Sequence, residues 1–377
     1  MSGLTDLVYL AVGPERHGVV RHGLATAREL GRQGGSVHLL HLPDAETLTT
    51  HRTALTGSPV HLDVTDALFG DTPREAVALL TDHLDGRRTT LTLHDVPQPA
   101  EGAVRYAARA AAYADLAHWA AGIVVSSEHE RSLLEQILAE HGGGSGTAAR
   151  MAPVTVVPLP VPDRRDPDAL HRARTNPAAW AEQLPAELAG LDQDVVVLGF
   201  LYPGKGHAEA LQALAEVRAQ HSDAPPAIPS RVTALGPVAS GHQDLVGELS
   251  AQAEQLGLSF RATGFVPDEH LETALLAAGI PVAAHRNVSA SGSLASWVSV
   301  GRRAVVPSGT YTQEMDRLRP GTLAVQATPD PTGALTVGIA AAVTEPSLTW
   351  IDPGTSLSPT PADGASALLQ FLAEVHA

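Results

Sequence analysis

The chain has no cysteine, which excludes disulfides and thiolate metal sites and leaves the redox compartment unread. Lysine is almost missing as well. Of the 25 strongly basic residues all but Lys205 are arginine, a bias that fits GC-rich codon usage and makes the lone ammonium worth following. Positive charge is scarce overall: the formal charge of −16 disfavours nucleic acid, whose phosphates need lysine and arginine, and disfavours a polybasic hold on anionic lipid. Long apolar runs are missing too. VGIAAAV at 337–343 is among the longest, far short of the roughly 20 residues of a membrane span. The start, MSGLTDLVYLAVG, lacks the basic and apolar regions of a signal peptide, so a soluble, cytoplasmic protein is expected.

What is present suits a folded enzyme-sized protein. A 44% apolar fraction with 18% charged residues argues for globular structure and against disorder, and 377 residues suit two domains. The first half alternates short apolar runs with amphipathic stretches. LVYLAV (7–12), SVHLLHL (36–42), TTLTLHDV (89–96), GIVVSS (122–127) and VTVVPLPV (154–161) read as strands. Residues 23–34, 75–84, 103–120 and 128–141 read as helices. HGGGSGTAAR (141–150) reads as a loop inside this domain. A polar, Pro/Ala-rich stretch follows, and the same grammar restarts at DVVVLGF (194–200) and ends in the helix ASALLQFLAEVHA. The expected organisation is a Rossmann-like domain over 1–162, a linker over 163–192, a second Rossmann-like domain over 193–360, and a C-terminal helix over 361–377 packing back on the first domain. Such tandem α/β domains place a cleft between them, and ligands collect at the C-terminal ends of their strands.

Lys205 lies in GFLYPGKGH (199–207), where a strand runs into a glycine loop and a helix opens at His207. The spacing is that of a Walker A phosphate loop, but Gly206 stands where the Mg²⁺-holding hydroxyl should be, and Pro203 has no N–H to donate. A phosphate-loop NTPase is therefore the weaker reading. A lysine, loop amides and a helix N-terminus can still converge on an anion without that hydroxyl, which implies a phosphorylated ligand.

The stretch GFLYPGKGHAEALQAL resembles the opening of the second domain in family-4 type retaining glycosyltransferases of GT-B fold. Other segments are similar in order: GPERHGVVRHGLATAREL, TLHDVP, GIVVSSEHER, VTVVPLPV and ATGFVPDEHLETALLAAGIPVAAHR. The resemblance spans about 300 residues and is carried by the order of loose motifs. It implies an α/β GT-B protein, two Rossmann-like domains facing each other across a cleft. The implied activity is transfer of a sugar from a nucleotide-diphosphate donor to an acceptor (small molecule, glycan or protein), with retention and without a metal or other cofactor.

The resemblance also assigns residues, and the chain departs from it at two places. Lys205, with Gly204 and Gly206, takes the place of the group on the donor diphosphate, and His94 that of the histidine on the donor sugar. Gly13 and Gly18 of GPERHG suit a loop that approaches the donor phosphate, and Glu15, Arg16 and His17 are acceptor-side candidates, a solvated loop being the alternative. The family's arginine in Gly-Arg-Leu is Phe200 here, and its two glutamates fall near Val288 and Ser296, where no carboxylate stands. In their place is HRNVSASGSLASW: Arg286 is expected to replace the lost arginine, and Ser291, Gly292 and Ser293, just before a helix, to hold the phosphates. An ordinary helix cap is the alternative there. Glu314 offers a carboxylate to the sugar or ribose. No histidine pair has metal-ligand spacing, so no metal is expected, and SASGS is not a nucleophile elbow. Alternatives to a glycosyltransferase are a non-catalytic GT-B protein that binds sugar nucleotides or a partner, and a sugar-nucleotide epimerase.

Overall fold

The computed structural model describes residues 6–50, 57–141, 151–220, 228–285, 287–328 and 330–376. Compactness divides the chain into two units, Met1–Pro160 together with Pro359–Ala377, and Val161–Ser358.

Unit 1 carries β1 (Leu7–Val12), α1 (Gly18–Arg32), β2 (Val37–Leu42), α2 (Ala45–Leu48), β3 (Val60–Val64), α3 (Pro73–Leu84) and β4 (Thr89–Leu93). It continues with α4 (Ala103–Trp119), β5 (Gly122–Val125), α5 (Glu128–His141) and β6 (Val154–Val156). The strands form one parallel sheet in the order β2-β1-β3-β4-β5-β6. A parallel sheet is covered on both faces, which is why β1 is apolar throughout. Val8, Leu10 and Val12 join Leu80, Tyr113 and Ile137 on one face, whereas Leu7 and Tyr9 pack on the other with Leu30 and with Leu368 and Phe371 near the chain's end.

Unit 2 carries α6 (Pro167–Thr175), α7 (Pro177–Ala181), β7 (Val195–Leu198), α8 (His207–Gln220), β8 (Arg231–Leu235), α9 (Leu245–Gln255) and β9 (Ser259–Ala262). Then come α10 (Asp268–Ala277), β10 (Ile280–Val282), α11 (Gly292–Ser299), β11 (Val305–Pro307), α12 (Thr310–Leu318), β12 (Ala324–Gln326) and α13 (Pro331–Thr344). Its parallel sheet runs β12-β11-β10-β7-β8-β9. Val195 and Val197 face α8 and α13 through Leu211 and Ile339, while Val196 and Leu198 face the layer of Trp180, Leu294 and Trp297. The final helix, α14 (Pro361–His376), belongs to unit 1 and packs on α1.

Two expectations meet a different structure. Residues 163–192, expected as a linker, are folded into unit 2. Asp166 and Asn176 cap helices that start with Pro167 and Pro177, and Trp180, Leu184, Leu188 and Leu191 enter the unit's core. The proline and alanine richness of this stretch marks helix starts and small packing residues. The second difference is β3, absent from the sequence reading because His61 and Asp63 interrupt its apolar pattern; all five residues are buried. The loop 142–150 lies outside the described residues. Among the described residues no helix is long and apolar enough to cross a membrane.

Candidate functional site

Each sheet reverses its winding direction once. In unit 2 this happens between β7 and β10, and ligands of open α/β sheets bind beyond the strand ends at that point. The loops leaving these two strands are where Lys205 and the serine turn meet. Gly199 leaves β7 in a left-handed conformation with φ 107°, and a Cβ there would come within 3.1 Å of Lys205 Nζ. Gly206, with φ 95°, lets the start of α8 touch the backbone after β10; a Cβ would lie 2.4 Å from Ala284. The chain is thus folded tightly enough to turn Lys205 inward, where it is 5% exposed.

Lys205 Nζ donates to Ser293 Oγ at 3.1 Å and hydrogen-bonds His285 Nε2. Among the described residues no carboxylate pairs with it. Burial pulls its pKa from 10.5 down to about 7. Burial, and then the charge of Lys205, push His285 well below the usual histidine range, so its ring is neutral and accepts from the ammonium. Ser291 caps α11: its Oγ accepts from Leu294 N–H at 3.2 Å and sits 3.2 Å from Ser293 Oγ, and its own N–H donates to Tyr311 Oη at 3.1 Å. The serine turn is therefore both a helix cap and a hydrogen-bond partner of Lys205.

The other residues named for this unit are placed as follows. Gly204 is left-handed at φ 89°, with open space where a Cβ would be, and Gly292 is exposed at the start of α11. Glu314 is half-buried on α12, the helix that supplies Tyr311. Arg286 lies outside the described residues. Val288, at one of the glutamate positions, packs against the apolar core, and Ser296, at the other, donates its hydroxyl to Gly292 O at 2.9 Å. His285 and Tyr311 were not singled out from sequence. His285 opens HRNVSASGSLASW, directly before Arg286, which was a usable signal; Tyr311 carried none.

In unit 1 the reversal lies between β1 and β3. Gly13, left-handed at φ 119°, opens the loop after β1, and His41 Nε2 pairs with its carbonyl at 2.9 Å. Glu15 and Arg16 are exposed, Glu15 lying 3.7 Å from His41. His17 caps α1 by accepting from Val19 N–H at 3.3 Å; burial lowers its pKa, with Asp95 and His94 as charged neighbours. The cap ties His17 to the fold while leaving it beside His94. A Cβ on Gly18 would meet nothing within 4 Å, so packing does not demand glycine there.

His94 follows β4 and is buried. Its N–H donates to Val64 O at 2.8 Å and its carbonyl accepts from Tyr113 Oη at 2.8 Å. Asp95 next to it is left-handed at φ 52°, uncommon for a residue with a Cβ, and Arg109 Nη2 holds its carbonyl at 2.8 Å. Arg109 is itself fixed by Asp66 and Glu101. The His94 ring meets Asp63 through Nε2, and His22 meets the same carboxylate. His22, Asp63 and His94 offer atoms within 4.8 Å of one another, a donor set that suits a divalent cation. Neither Asp63 nor His22 was foreseen, because the strand holding Asp63 was not.

The architecture is that of the GT-B glycosyltransferases. HepE from Anabaena, in complex with UDP and glucose, is 15% identical over 98% of this chain and 97% of that one, with a TM-score of 0.63. Sucrose-phosphate synthase from Thermosynechococcus elongatus is 14% identical, covering 99% and 96%, with a TM-score of 0.60. A UDP-forming α,α-trehalose-phosphate synthase from Burkholderia vietnamiensis is 11% identical, covering 99% of each chain, with a TM-score of 0.63. At these identities the likeness is one of fold. No protein-family model matches the chain, and no curated protein matches its sequence.

Proposed function

We propose that the protein transfers a sugar from a nucleotide-diphosphate donor, held by unit 2, to an acceptor bound by unit 1. The observation that carries this reading is a buried ammonium with no carboxylate partner among the described residues, set at the strand reversal beside the N-terminus of α11. Burying an unpaired charge is costly, so a site that keeps one is shaped for a ligand of opposite sign. The ammonium, the serine hydroxyls and the α11 dipole all favour phosphate oxygens. As the glycosidic bond breaks, negative charge grows on the leaving diphosphate and the sugar gains oxocarbenium character. Groups fixed before the reaction stabilise that charge at low reorganisation cost. Lys205 is the principal one, and no metal is required for it. Retention of configuration, with the leaving phosphate taking the acceptor proton, completes the proposal. UDP is the first nucleotide to test, since fold neighbours were crystallised with it.

Calorimetric titration with UDP, GDP and ADP, repeated on Lys205→Ala, tests the reading. One nucleotide diphosphate should bind, and the variant should lose that binding. Absence of binding by any of the three sinks the proposal. A second reading, a non-catalytic binding protein on the same fold, is favoured by Val288 and Ser296 at the glutamate positions, one packed against the core and the other bonded to its own helix. Nucleotide binding without donor hydrolysis or transfer across a panel of acceptors would select it.

A further inference from the structure

Three side chains in unit 1 converge on one carboxylate. Tyr9 of β1 donates its hydroxyl to Asp63 Oδ2 at 2.5 Å. His22 Nδ1 of α1 and His94 Nε2 lie 2.8 and 2.6 Å from Asp63 Oδ1. A Cβ on Gly23 would sit 2.6 Å from Oδ2, so only glycine lets α1 pass this close. With Oδ2 accepting from the Tyr9 hydroxyl and Oδ1 shared by two imidazoles, the Asp63 carboxyl is surrounded by donors, the setting of a carboxylate. An ionised carboxylate only accepts, so both rings must donate, His22 from Nδ1 and His94 from Nε2. That leaves His94 with Nδ1 uncommitted, because no hydrogen bond joins it to a described residue. The ring cannot turn to use its nitrogens otherwise without breaking the pair with Asp63, and its backbone is clamped by Val64 and Tyr113.

We propose that Asp63 is a positioning residue for His94: it fixes the ring and places its proton on Nε2, so that Nδ1 is the atom presented to a hydroxyl of the sugar. Tyr9, on the other oxygen of the carboxylate, orients Asp63 in turn. The inference rests on the proposed function and on the donor-sugar place that the family resemblance gives His94. A divalent cation would compete for the same lone pairs, so hydrogen bonding and metal ligation are exclusive uses of this cluster.

The test uses the full-length protein with ¹⁵N-labelled histidine, in long-range ¹H–¹⁵N spectra at mildly alkaline pH, with His94→Gln to assign the signals. His94 should show a protonated Nε2 and a bare Nδ1. Asp63→Asn should abolish that fixed tautomer and lower donor-sugar turnover by about tenfold or more while leaving UDP affinity unchanged, since the nucleotide is assigned to unit 2. His22→Ala, which keeps the Asp63–His94 pair, should retain the tautomer and serves if Asp63→Asn does not fold. A proton on Nδ1, a tautomer indifferent to Asp63→Asn or lost in His22→Ala, or stoichiometric Co²⁺ binding that vanishes in His22→Ala overturns the inference. Failure of the wild type to bind UDP overturns the functional reading instead, and leaves the tautomer result standing.

Discussion

Lys205 is held in a place that disfavours its own charge. Its neighbours are a neutral imidazole and a hydroxyl, both acceptors of modest strength, and burial brings its pKa to about 7. The sign of the linkage follows from the unfolded lysine titrating near its ordinary 10.5. Below about pH 7 both states are charged and the fold bears the full desolvation cost. As pH rises through the folded pKa toward the unfolded one, the folded protein releases its proton first and that cost is relieved. Lys205→Met should therefore raise the thermal stability of the ligand-free protein below neutral pH, on the order of 1–3 kcal/mol, with a smaller gain at alkaline pH, and should remove nucleotide binding. In the wild type, UDP affinity should fall as pH rises past neutrality, with proton uptake visible in calorimetry across buffers of different ionisation enthalpy. Destabilisation by Lys205→Met in acid would show that the ammonium is stabilising without ligand.

The turn after β4 shows what one element asks of another. A left-handed aspartate is strained, and it persists because α4 supplies two clamps one helical turn apart, Arg109 on the Asp95 carbonyl and Tyr113 on the His94 carbonyl. Tyr113→Phe removes a buried donor and leaves a carbonyl unsatisfied. It should cost about 1–2 kcal/mol in denaturant unfolding and speed amide exchange of residues 93–97. Unchanged exchange there would mean that Arg109 alone holds the turn. None of this was legible in the sequence, where Tyr113 and Arg109 look like ordinary residues of an alanine-rich helix. His94 itself was legible, because a strand end is visible in TTLTLHDV. Its partner Asp63 was not, since a carboxylate inside a five-residue strand reads as a loop until the tertiary fold buries it. Lys205 and Ser293 were both expected at the phosphates from sequence, whereas their mutual contact depends on Gly199 and Gly206 allowing loops far apart in the chain to close.

At the scale of the whole molecule, the repeated strand–helix grammar was enough to expect two α/β units. Strand order and the entry of 163–192 into the second core required knowing which surfaces meet. The chain leaves unit 1 at Pro160 and returns at Pro359, so unit 1 lacks a face until its last helix arrives. Phe371 is buried there beside Tyr9, Leu30 and Leu372, and Gly122 leaves room for its ring. Phe371→Ala should destabilise unit 1 by about 3–5 kcal/mol, whereas a ligand of unit 2 stabilises the unit that holds it, by about 2.7 kcal/mol at a hundredfold excess over Kd. Hydrogen exchange resolved by segment can follow both in one sample. The variant should lose protection in β1, α1 and β5 while UDP still raises protection in β7, α8 and α11, with its affinity unchanged. Loss of UDP affinity in Phe371→Ala would place part of the nucleotide's binding energy in unit 1, and the assignment of the diphosphate to the Lys205 pocket alone would have to be given up.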